Sequence, residues 1–273
     1  MSAPINQDTP SFPLFVPADR PERFAKACAA GTDSVIIDLE DAVPAQSKVA
    51  VRRIPQGAMP AERTAKLYLR VNGTDTPWYA DDVAFARSTG FDGVILPKTE
   101  SAAQIEALRA ALAQGQQVMA LVESVAGLAA ITEIAHAADR IAFGSIDFAL
   151  DLRGAHTQTA LLYARSAIVM AARLAGKPAP IDGVTTATND PAITAGDAAH
   201  GRDLGFGGKL LIHPGQIAPA RAAFRPTQAE VGWAQRVITA SADGTTITVD
   251  GAMVDAPVVA RATRILERER AMK

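Results

Sequence analysis

The stretch QVMALVES, residues 117–124, decides the fold. It opens with an apolar run that does not alternate with polar residues, which is typical of a parallel strand buried on both faces. The run leads directly into a carboxylate, Glu123. A helical pattern over Gly127–Ala137 follows, and a second apolar run, Arg140–Phe143, then leads towards Asp147. Strand, charge and helix in this order indicate a strand–helix–strand unit with polar residues at the strand ends.

The same unit repeats on both sides of this stretch. Roughly eight such units in about 225 residues predict an α/β fold, a closed TIM (β/α)8 barrel. An open doubly wound sheet would require a phosphate-binding glycine-rich turn, and neither GxGxxG nor GxxxxGK[ST] occurs. The predicted strands are Pro13–Val16, Ser34–Leu39, Lys66–Val71, Gly93–Leu96, Gln117–Val122, Arg140–Phe143, Ala179–Val184 and Gly208–Ile212.

The pattern changes after Pro226. A helix over Thr227–Ser241 is predicted, with Glu230 placed to complete a capping box with Thr227. A hairpin around Asp250-Gly251 and a last helix follow. We therefore predict a barrel domain over residues 1–225 and a small C-terminal lid or oligomerisation segment, helical with a hairpin, over residues 226–273.

Composition limits the classes of function. The net charge of -2 indicates neither a nucleic-acid partner nor a basic membrane patch. A single cysteine, Cys28, excludes a disulfide within the chain, which is typical of a reducing compartment. The first residues, MSAPINQDTPSF, have no signal-peptide pattern, and no apolar run reaches the ~18 residues of a membrane span. The expected location is the cytoplasm.

Charged residues follow several predicted strands at their carboxyl ends, where barrel enzymes place their chemistry. Glu123 and Asp147 follow neighbouring strands, and carboxylates with open positions for water and substrate suit Mg²⁺. Zinc would favour His or Cys ligands, which do not cluster here. The alternative is that both carboxylates only form ion pairs with Arg70 and Lys98 inside the barrel.

Eight short motifs follow one another along the chain, most of them at the predicted strand ends. They are LFVPADRPER (14–23), DLEDAV (38–43), RVN (70–72), LPK (96–98), ES (123–124), FGSID (143–147), IHPGQI (212–217) and MVDAP (253–257). In these motifs and their order the chain resembles the citrate lyase beta-subunit-like proteins of the HpcH/HpaI aldolase superfamily, which also includes malyl-CoA and citramalyl-CoA lyases. This resemblance covers nearly the whole chain and implies a TIM barrel.

The resemblance also implies roles for single residues. Glu123 and Asp147 match the Mg²⁺ ligands, and Glu123 counts among the substrate-binding residues as well. Arg70 matches the arginine that binds the carboxylate of the keto acid, for which a planar bidentate donor is suited. Asp38 is assigned to the outer shell of the metal, through water. Asp255 matches an aspartate that enters a neighbouring subunit's site and exchanges a proton with the acyl methyl carbon.

The thioester carrier is expected to contact the N-terminal segment. Arg20 and Lys26 are candidates for contacts with CoA phosphates, although Lys26 equally suits a solvated helix face. Ala18 departs from the pattern, because many relatives have glycine there, and its methyl group would narrow a passage beside the backbone. Lys98 is expected to have a structural or electrostatic role and not to form a Schiff base.

These roles imply a Mg²⁺-dependent carbon–carbon lyase. It would cleave a 3-hydroxyacyl-CoA of the malyl-CoA or citramalyl-CoA type into a 2-oxo acid and acetyl-CoA. The expected partners are therefore a CoA thioester and a small 2-oxo acid, in a homo-oligomer that is a trimer or hexamer. Two alternatives stay open: a citryl lyase subunit that acts on an acyl-carrier-protein thioester and releases oxaloacetate, and a non-catalytic binding protein on the same barrel.

Overall fold

The computed structural model describes residues 11–54, 58–60, 62–241 and 247–272. Six strands form one parallel sheet in chain order, as the buried apolar runs predict. Every one of these strands begins and ends within one residue of its predicted bounds. They are β1 (Leu14–Pro17), β2 (Ser34–Asp38), β3 (Lys66–Arg70), β4 (Gly93–Leu96), β5 (Gln117–Val122) and β6 (Arg140–Phe143).

Helices connect the strands and form the outer layer. The predicted helix over Gly127–Ala137 is divided in two at Ala130, where the backbone leaves the helical conformation. None of the helices in the described ranges combines the length and apolar character needed to cross a bilayer. The helices are α1 (Phe24–Cys28), α2 (Tyr79–Ser88), α3 (Ala102–Ala111), α4 (Val125–Ala129), α5 (Ile131–Ala137), α6 (Ser145–Asp151), α7 (Leu162–Leu174), α8 (Pro191–Leu204), α9 (Ile217–Phe224), α10 (Gln228–Ser241) and α11 (Ala256–Ala271).

The last two predicted strands, Ala179–Val184 and Gly208–Ile212, are not regular strands. They take part only in isolated parallel bridges, which run from β6 to β1: Ala142 with Ile181, Asp182 with Lys209, Leu14 with Leu211, and Ser11 with Gly208. Prolines and glycines explain the difference, because proline lacks the N–H of a ladder and glycine weakens one. The α/β class is confirmed, whereas a barrel of eight regular strands is not.

The two faces of the sheet are both covered. Alternate strand residues such as Val35 and Ile37 join the large cluster beneath the helices. The intervening residues point inward and form a second cluster, which also includes residues of the two bridging segments. Because successive residues of a strand point to opposite faces of the sheet, the position of a charged residue at a strand end decides whether it faces the helices or the interior. The inner cluster contains Ile36, Tyr68, Ile95, Met119, Leu121, Ala142, Ile181 and Leu210.

The C-terminal segment has an apolar cluster of its own. The capping box at the start of α10 is confirmed, because Glu230 N donates to Thr227 Oγ1 at 3.2 Å and Thr227 N donates to Glu230 Oε2 at 2.7 Å. A hairpin of β7 (Ile247–Val249) and β8 (Ala252–Val254) leads into α11. Residues 242–246, which precede this hairpin, lie outside the described residues. The division at residue 225 stays a prediction. The cluster contains Ala234, Val237, Val249, Val254 and Ala262.

Replacing Gly208 tests whether the bridging segments depend on a close approach between backbones. Its φ is 157°, and a Cβ there would overlap the carbonyl of Ser11. We expect Gly208→Ala to lower the free energy of unfolding by about 3 kcal/mol, through strain and overlap. Around Gly196 in α8, apart from its chain neighbours and the backbone of its own helix, no atom of the described residues lies within 4 Å of the point where a Cβ would stand. Gly196→Ala should therefore be neutral or slightly stabilising. Urea unfolding of both variants checks this, and equal stability of the two would contradict it.

Candidate active site

A cavity of about 520 Å³ opens at the carboxyl edge of the sheet. The ends of β2, β3 and β5 and the start of α6 meet there, because the carboxyl ends of parallel strands lie at one edge. The cavity therefore brings together four of the residues predicted from sequence. Its lining includes Asp38, Asp41, Arg70, Glu123, Gly144, Ser145 and Asp147, with apolar walls from Phe15, Leu121, Phe143, Val184, Leu210 and Ile212.

Arg70 is the cation at the centre of this edge. Its Nε and Nη2 each donate to one oxygen of Asp38 at 2.7 Å. Its Nη1 lies 3.0 Å from Glu40 Oε2 and 3.2 Å from Asp41 Oδ2, and the guanidinium stacks 4.8 Å from the ring centre of Phe15. Burial alone would lower the pKa of Arg70, but the Asp38 carboxylate and its neighbours raise that pKa. Arg70 is therefore a fixed, permanent cation.

Both carboxylate oxygens of Asp38 are fully used as hydrogen-bond acceptors. Besides the two bonds from Arg70, it accepts backbone N–H groups from Glu40 at 2.9 Å and Ala42 at 3.3 Å. Both oxygens thus have two donors each, which is the usual capacity of a carboxylate. Asp38 orients Arg70 and the loop that follows β2. Its role in the outer shell of a metal stays a prediction.

Lys98 connects the acidic residues of two strands. Its backbone has a left-handed φ of 48°, and its N–H donates to Glu123 Oε1 at 2.7 Å. Its Nζ donates to Glu40 Oε1 at 2.9 Å. Burial opposes the charge on Lys98, but the hydrogen bond to Glu40 and the negative charges of Glu40, Asp41 and Glu123 together outweigh burial and raise the pKa of Lys98. A protonated, paired amine fits the electrostatic role expected from sequence, because a Schiff base needs a neutral amine.

Glu123 is a buried carboxyl group in an acidic neighbourhood. Burial, followed by the charge of Glu40, raises the pKa of Glu123 to about 8, and Asp147 adds to the shift. Gly144 packs so closely that a Cβ there would overlap the Glu123 side chain. The orientation of Glu123 is thus fixed on one side by a glycine and on the other by the Lys98 N–H. A raised carboxyl pKa without a paired cation indicates a place where a cation would be stabilised.

Asp147 is the second carboxylate at this point. It is half-buried in the first turn of α6, beyond Gly144. Within the described part of the chain no side-chain hydrogen bond or ion pair occupies its oxygens. In the same ranges, no cluster of three or more His, Cys, Asp or Glu side chains is arranged around a metal. A pair of carboxylates with remaining positions for water and substrate is nevertheless what Mg²⁺ accepts, so Glu123 and Asp147 are the residues that could hold it.

The other predicted site residues lie elsewhere. Lys26 lines a second cavity of about 350 Å³, together with Arg23, whereas Arg20 is exposed beside Asp19 and lines neither cavity. Asp255 is also outside both cavities. Its exposed side chain accepts the Val258 N–H at 3.1 Å and thereby caps α11.

Three residues at the rim did not stand out from the sequence. Arg23 lines the second cavity, but only the packing of the 3-10 turn that ends just before α1 shows which way it faces. Ser145 lines the first cavity, and its hydroxyl lies 3.0 Å from His156 Nε2. The FGSID segment contains Ser145 and could have drawn attention to it. His156 lies in a segment without a recognisable pattern, so no signal indicated it.

This geometry defines a class: an α/β protein with an acidic, arginine-containing cavity at the carboxyl edge of a parallel sheet. The chain belongs to the HpcH/HpaI aldolase/citrate lyase family, whose model matches residues 11–214. The family is one of lyases that includes citrate lyase beta subunits.

Individual relatives cover nearly the whole chain. A citrate lyase subunit beta-like protein of Deinococcus radiodurans is 36% identical, over 94% of this chain and 96% of its own. A (3S)-malyl-CoA thioesterase of Cereibacter sphaeroides is 33% identical, over 90% and 88%. Mycobacterium tuberculosis CitE, in a crystal structure with magnesium, acetoacetate and coenzyme A, superposes with a TM-score of 0.85 at 34% identity, over 97% of this chain and 99% of that one.

The pKa of Glu123 predicts how the stability of the metal-free protein depends on pH. Between the ordinary value of 4.5 and about 8, the folded state keeps a proton that the unfolded state has released. Stability therefore falls as pH rises through this window. We expect the Tm of wild type to fall more steeply with pH than that of Glu123→Gln, and Mg²⁺ to raise the wild-type Tm most at the upper end.

Differential scanning calorimetry measures both effects. Glu106→Gln removes an exposed carboxylate on α3 and is the matched control, because it should titrate like wild type. Identical pH dependence of Tm in wild type and Glu123→Gln would contradict the raised pKa.

Proposed function

We propose that this chain is a Mg²⁺-dependent carbon–carbon lyase that cleaves a 3-hydroxyacyl-CoA of the malyl-CoA or citramalyl-CoA type to a 2-oxo acid and acetyl-CoA. One observation carries the proposal: Glu123, Asp147 and Arg70 line the same cavity. The two carboxylates can bind a hard metal cation, and the Arg70 guanidinium beside them can bind a substrate carboxylate. A 2-oxo acid needs both, because its keto and carboxylate oxygens can chelate a metal while an arginine binds the acid group.

Each residue has a distinct part in this proposal. Glu123 and Asp147 would hold Mg²⁺, which when bound stabilises the negative charge that develops on substrate oxygens. Arg70 would bind the carboxylate of the 2-oxo acid through remaining N–H groups on Nη1 and Nη2, whose plane is fixed by the two bonds to Asp38. Lys98 orients Glu123 through its backbone N–H. The apolar walls exclude water from the thioester enolate until a proton reaches its carbon.

The second cavity supports a CoA carrier. It shares Phe15, Pro17 and Ile212 with the first cavity, and Arg23 and Lys26 give it positive charge. A phosphate-bearing chain could therefore extend from one cavity into the other. We propose that Arg23 and Lys26 meet the phosphates and that Arg20, which lies outside, contributes less. The bound coenzyme A and magnesium in the Mycobacterium tuberculosis relative support this direction.

We also propose that the sheet is a closed (β/α)8 barrel. The bridging segments at Ile181–Asp182 and Gly208–Leu211 stand between β6 and β1, where the seventh and eighth strands of such a barrel belong. Their residues contribute to the inner cluster with the same inward orientation as the regular strands.

The free buried thiol of Cys28 fits the cytoplasm expected from sequence.

A second candidate is the citryl lyase subunit that releases oxaloacetate from an acyl-carrier-protein thioester. The name of the Deinococcus radiodurans relative favours it. This candidate would use a different thioester carrier but the same cavity, since oxaloacetate is also a 2-oxo acid. A non-catalytic binding protein is disfavoured, because nothing in a passive scaffold requires a buried carboxyl group whose pKa is raised to about 8.

A panel of synthetic 3-hydroxyacyl-CoA esters and their acyl-carrier-protein counterparts tests the function. With Mg²⁺ present, release of a 2-oxo acid from one CoA ester is the expected result. Asp147→Asn should abolish it, whereas Asp203→Asn, which removes an exposed partner of Arg202, should not. Turnover of the carrier-protein esters alone would favour the second candidate, and no turnover of any ester would contradict a lyase.

Arg70→Lys is expected to be a severe change. An ammonium group cannot reproduce the two parallel bonds to Asp38 and still present a planar edge to the substrate. We expect kcat/KM to fall at least about tenfold, equivalent to roughly 1.5 kcal/mol. Arg109→Lys on α3, whose partner Asp139 lies at the surface, is the control and should behave like wild type. Normal kinetics of Arg70→Lys would mean that another residue binds the carboxylate.

Asp255 tests whether the site is shared between subunits. Within one chain it only caps α11, but it follows a hairpin on which Met253 is 66% exposed, as expected of a surface that meets a neighbour. We propose a homotrimer or hexamer in which Asp255 donates a proton to the acyl methyl carbon in the adjacent site.

Mixing two inactive proteins, Asp255→Asn and Glu123→Gln, should restore part of the activity. Some sites then combine an intact Glu123 with an intact Asp255 from different chains. Subunit exchange is followed by native mass spectrometry. Exchange without any return of activity would exclude the shared site.

A further inference from the structure

Ser145 occupies an unusual position in the cavity. It is the first residue of α6, it is 1% exposed, and it is among the residues that line the cavity, two positions before Asp147. Its Oγ lies 3.0 Å from Nε2 of His156, which belongs to the segment between α6 and α7. The hydroxyl group of a residue at the cavity wall is thus in contact with an imidazole.

The position of Ser145 is fixed by its surroundings. A Cβ at Gly183 would overlap Ser145 Oγ, so the hydroxyl fills the space that this glycine leaves. The carbonyl of Gly183 is itself held, because the buried Lys209 Nζ donates to it at 2.6 Å. Ser145 therefore has little freedom to turn away from His156.

His156 faces outward, unlike Ser145. Its side chain is exposed, so water reaches the imidazole from outside the cavity. Burial of part of the ring lowers the pKa of His156, and the charges of Arg165 and Lys209 lower it further, while Asp197 and Asp182 oppose them. The imidazole is thus neutral near pH 7, and a neutral ring has one nitrogen that can accept a proton.

We propose that Ser145 and His156 form a relay that carries the hydroxyl proton of the substrate from the cavity to solvent. The inference rests on the lyase function proposed above. Cleavage of a 3-hydroxyacyl thioester must remove this proton, and a serine linked to a neutral histidine is a competent acceptor.

The step balances in atoms and electrons. The substrate O–H proton moves to Ser145 Oγ as the serine proton moves to His156 Nε2, which becomes an imidazolium. The O–H electron pair becomes the second bond of the new keto group, and the electrons of the broken C–C bond pass to the thioester enolate. A proton from the Asp255 carboxyl group of a neighbouring subunit then converts the enolate to the acetyl product. The imidazolium loses its proton to water, and the Asp255 carboxylate takes one up from water, so the protein returns to its starting state.

Other groups at the cavity are less suited to this role. Asp38 is saturated by donors, and Lys98 is a protonated partner of Glu40. Glu123 already accepts the Lys98 N–H and is the expected metal ligand. Among the described residues that line the cavity, Ser145 is the hydroxyl group, and it has a direct hydrogen bond to an exposed base.

Kinetics of four variants test the relay. His156→Ala and Ser145→Ala should each lower kcat about a hundredfold, the usual contribution of a general base, with little change in KM. His156→Gln can still hydrogen-bond to Ser145 but cannot take up a proton, so it should be as slow as His156→Ala. Added imidazole should restore activity to His156→Ala, because the site is open to solvent. His136→Ala is the control, since that exposed ring bonds only within its own helix, to Thr132 O.

An NMR titration gives a readout that does not depend on turnover. The chain has four histidines, so the His156 resonance can be assigned by its loss in His156→Ala. A serine hydroxyl that donates to the ring stabilises the neutral form, so Ser145→Ala should raise the pKa of His156 and leave that of His136 unchanged. Ser145→Ala also retains the helix start, which limits the risk of misfolding.

The outcomes separate the relay from the function. If wild type cleaves a CoA ester and His156→Gln is equally fast, His156 is only a tether and the relay is wrong. The relay is also wrong if imidazole fails to restore a folded His156→Ala, or if Ser145→Ala leaves the pKa of His156 unchanged. A wild type that cleaves no ester would instead contradict the proposed function.

Discussion

The buried ion pair between Arg70 and Asp38 is the constraint on which the site depends. Two strands that are adjacent in the sheet end in opposite charges, and both N–H···O bonds are 2.7 Å long. Loss of one partner from such a pair costs about 3–5 kcal/mol, because the other charge stays buried. The pair fixes Arg70, Arg70 neutralises Glu40, and Glu40 holds Lys98, whose backbone orients Glu123. The acidic centre is therefore built outward from one contact.

The sequence could predict this edge because the relevant signals are local. An unbroken apolar run followed by a charge, as at Glu123 and Arg70, indicates both a buried strand and the edge where it ends. The strands that pair over several residues match their predicted bounds within one residue. The segments after Pro180 and Gly207 have the apolar content of strands, but they form only single bridges, because proline and glycine limit a ladder irrespective of hydrophobicity.

Contacts between distant segments could not be predicted in this way. Nothing periodic surrounds His156, and its hydrogen bond to Ser145 depends on how the segment after α6 folds back. The same holds for Arg23, whose direction depends on how the short 3-10 turn that ends just before α1 packs. Asp255 is the opposite case, because its motif can be recognised in the sequence but its role cannot be read from the single chain. Within one chain it caps α11, and a role at a neighbouring site requires a second subunit.

The seam of single bridges between β6 and β1 has a consequence for how the molecule opens. Regular strands share a continuous ladder and lose it together. The residues around Ile181 and Gly208 are joined to their neighbours by isolated bridges with short backbone hydrogen bonds of 2.8–3.1 Å, and by the buried Arg165–Asp182 ion pair, 2.9 Å apart. Sub-global opening should begin along this seam, at a free energy below that of complete unfolding. Backbone amides there should exchange with deuterium before those of β2 to β5. We therefore expect the side of the sheet that contains β2 to β5 to stay closed when the seam parts.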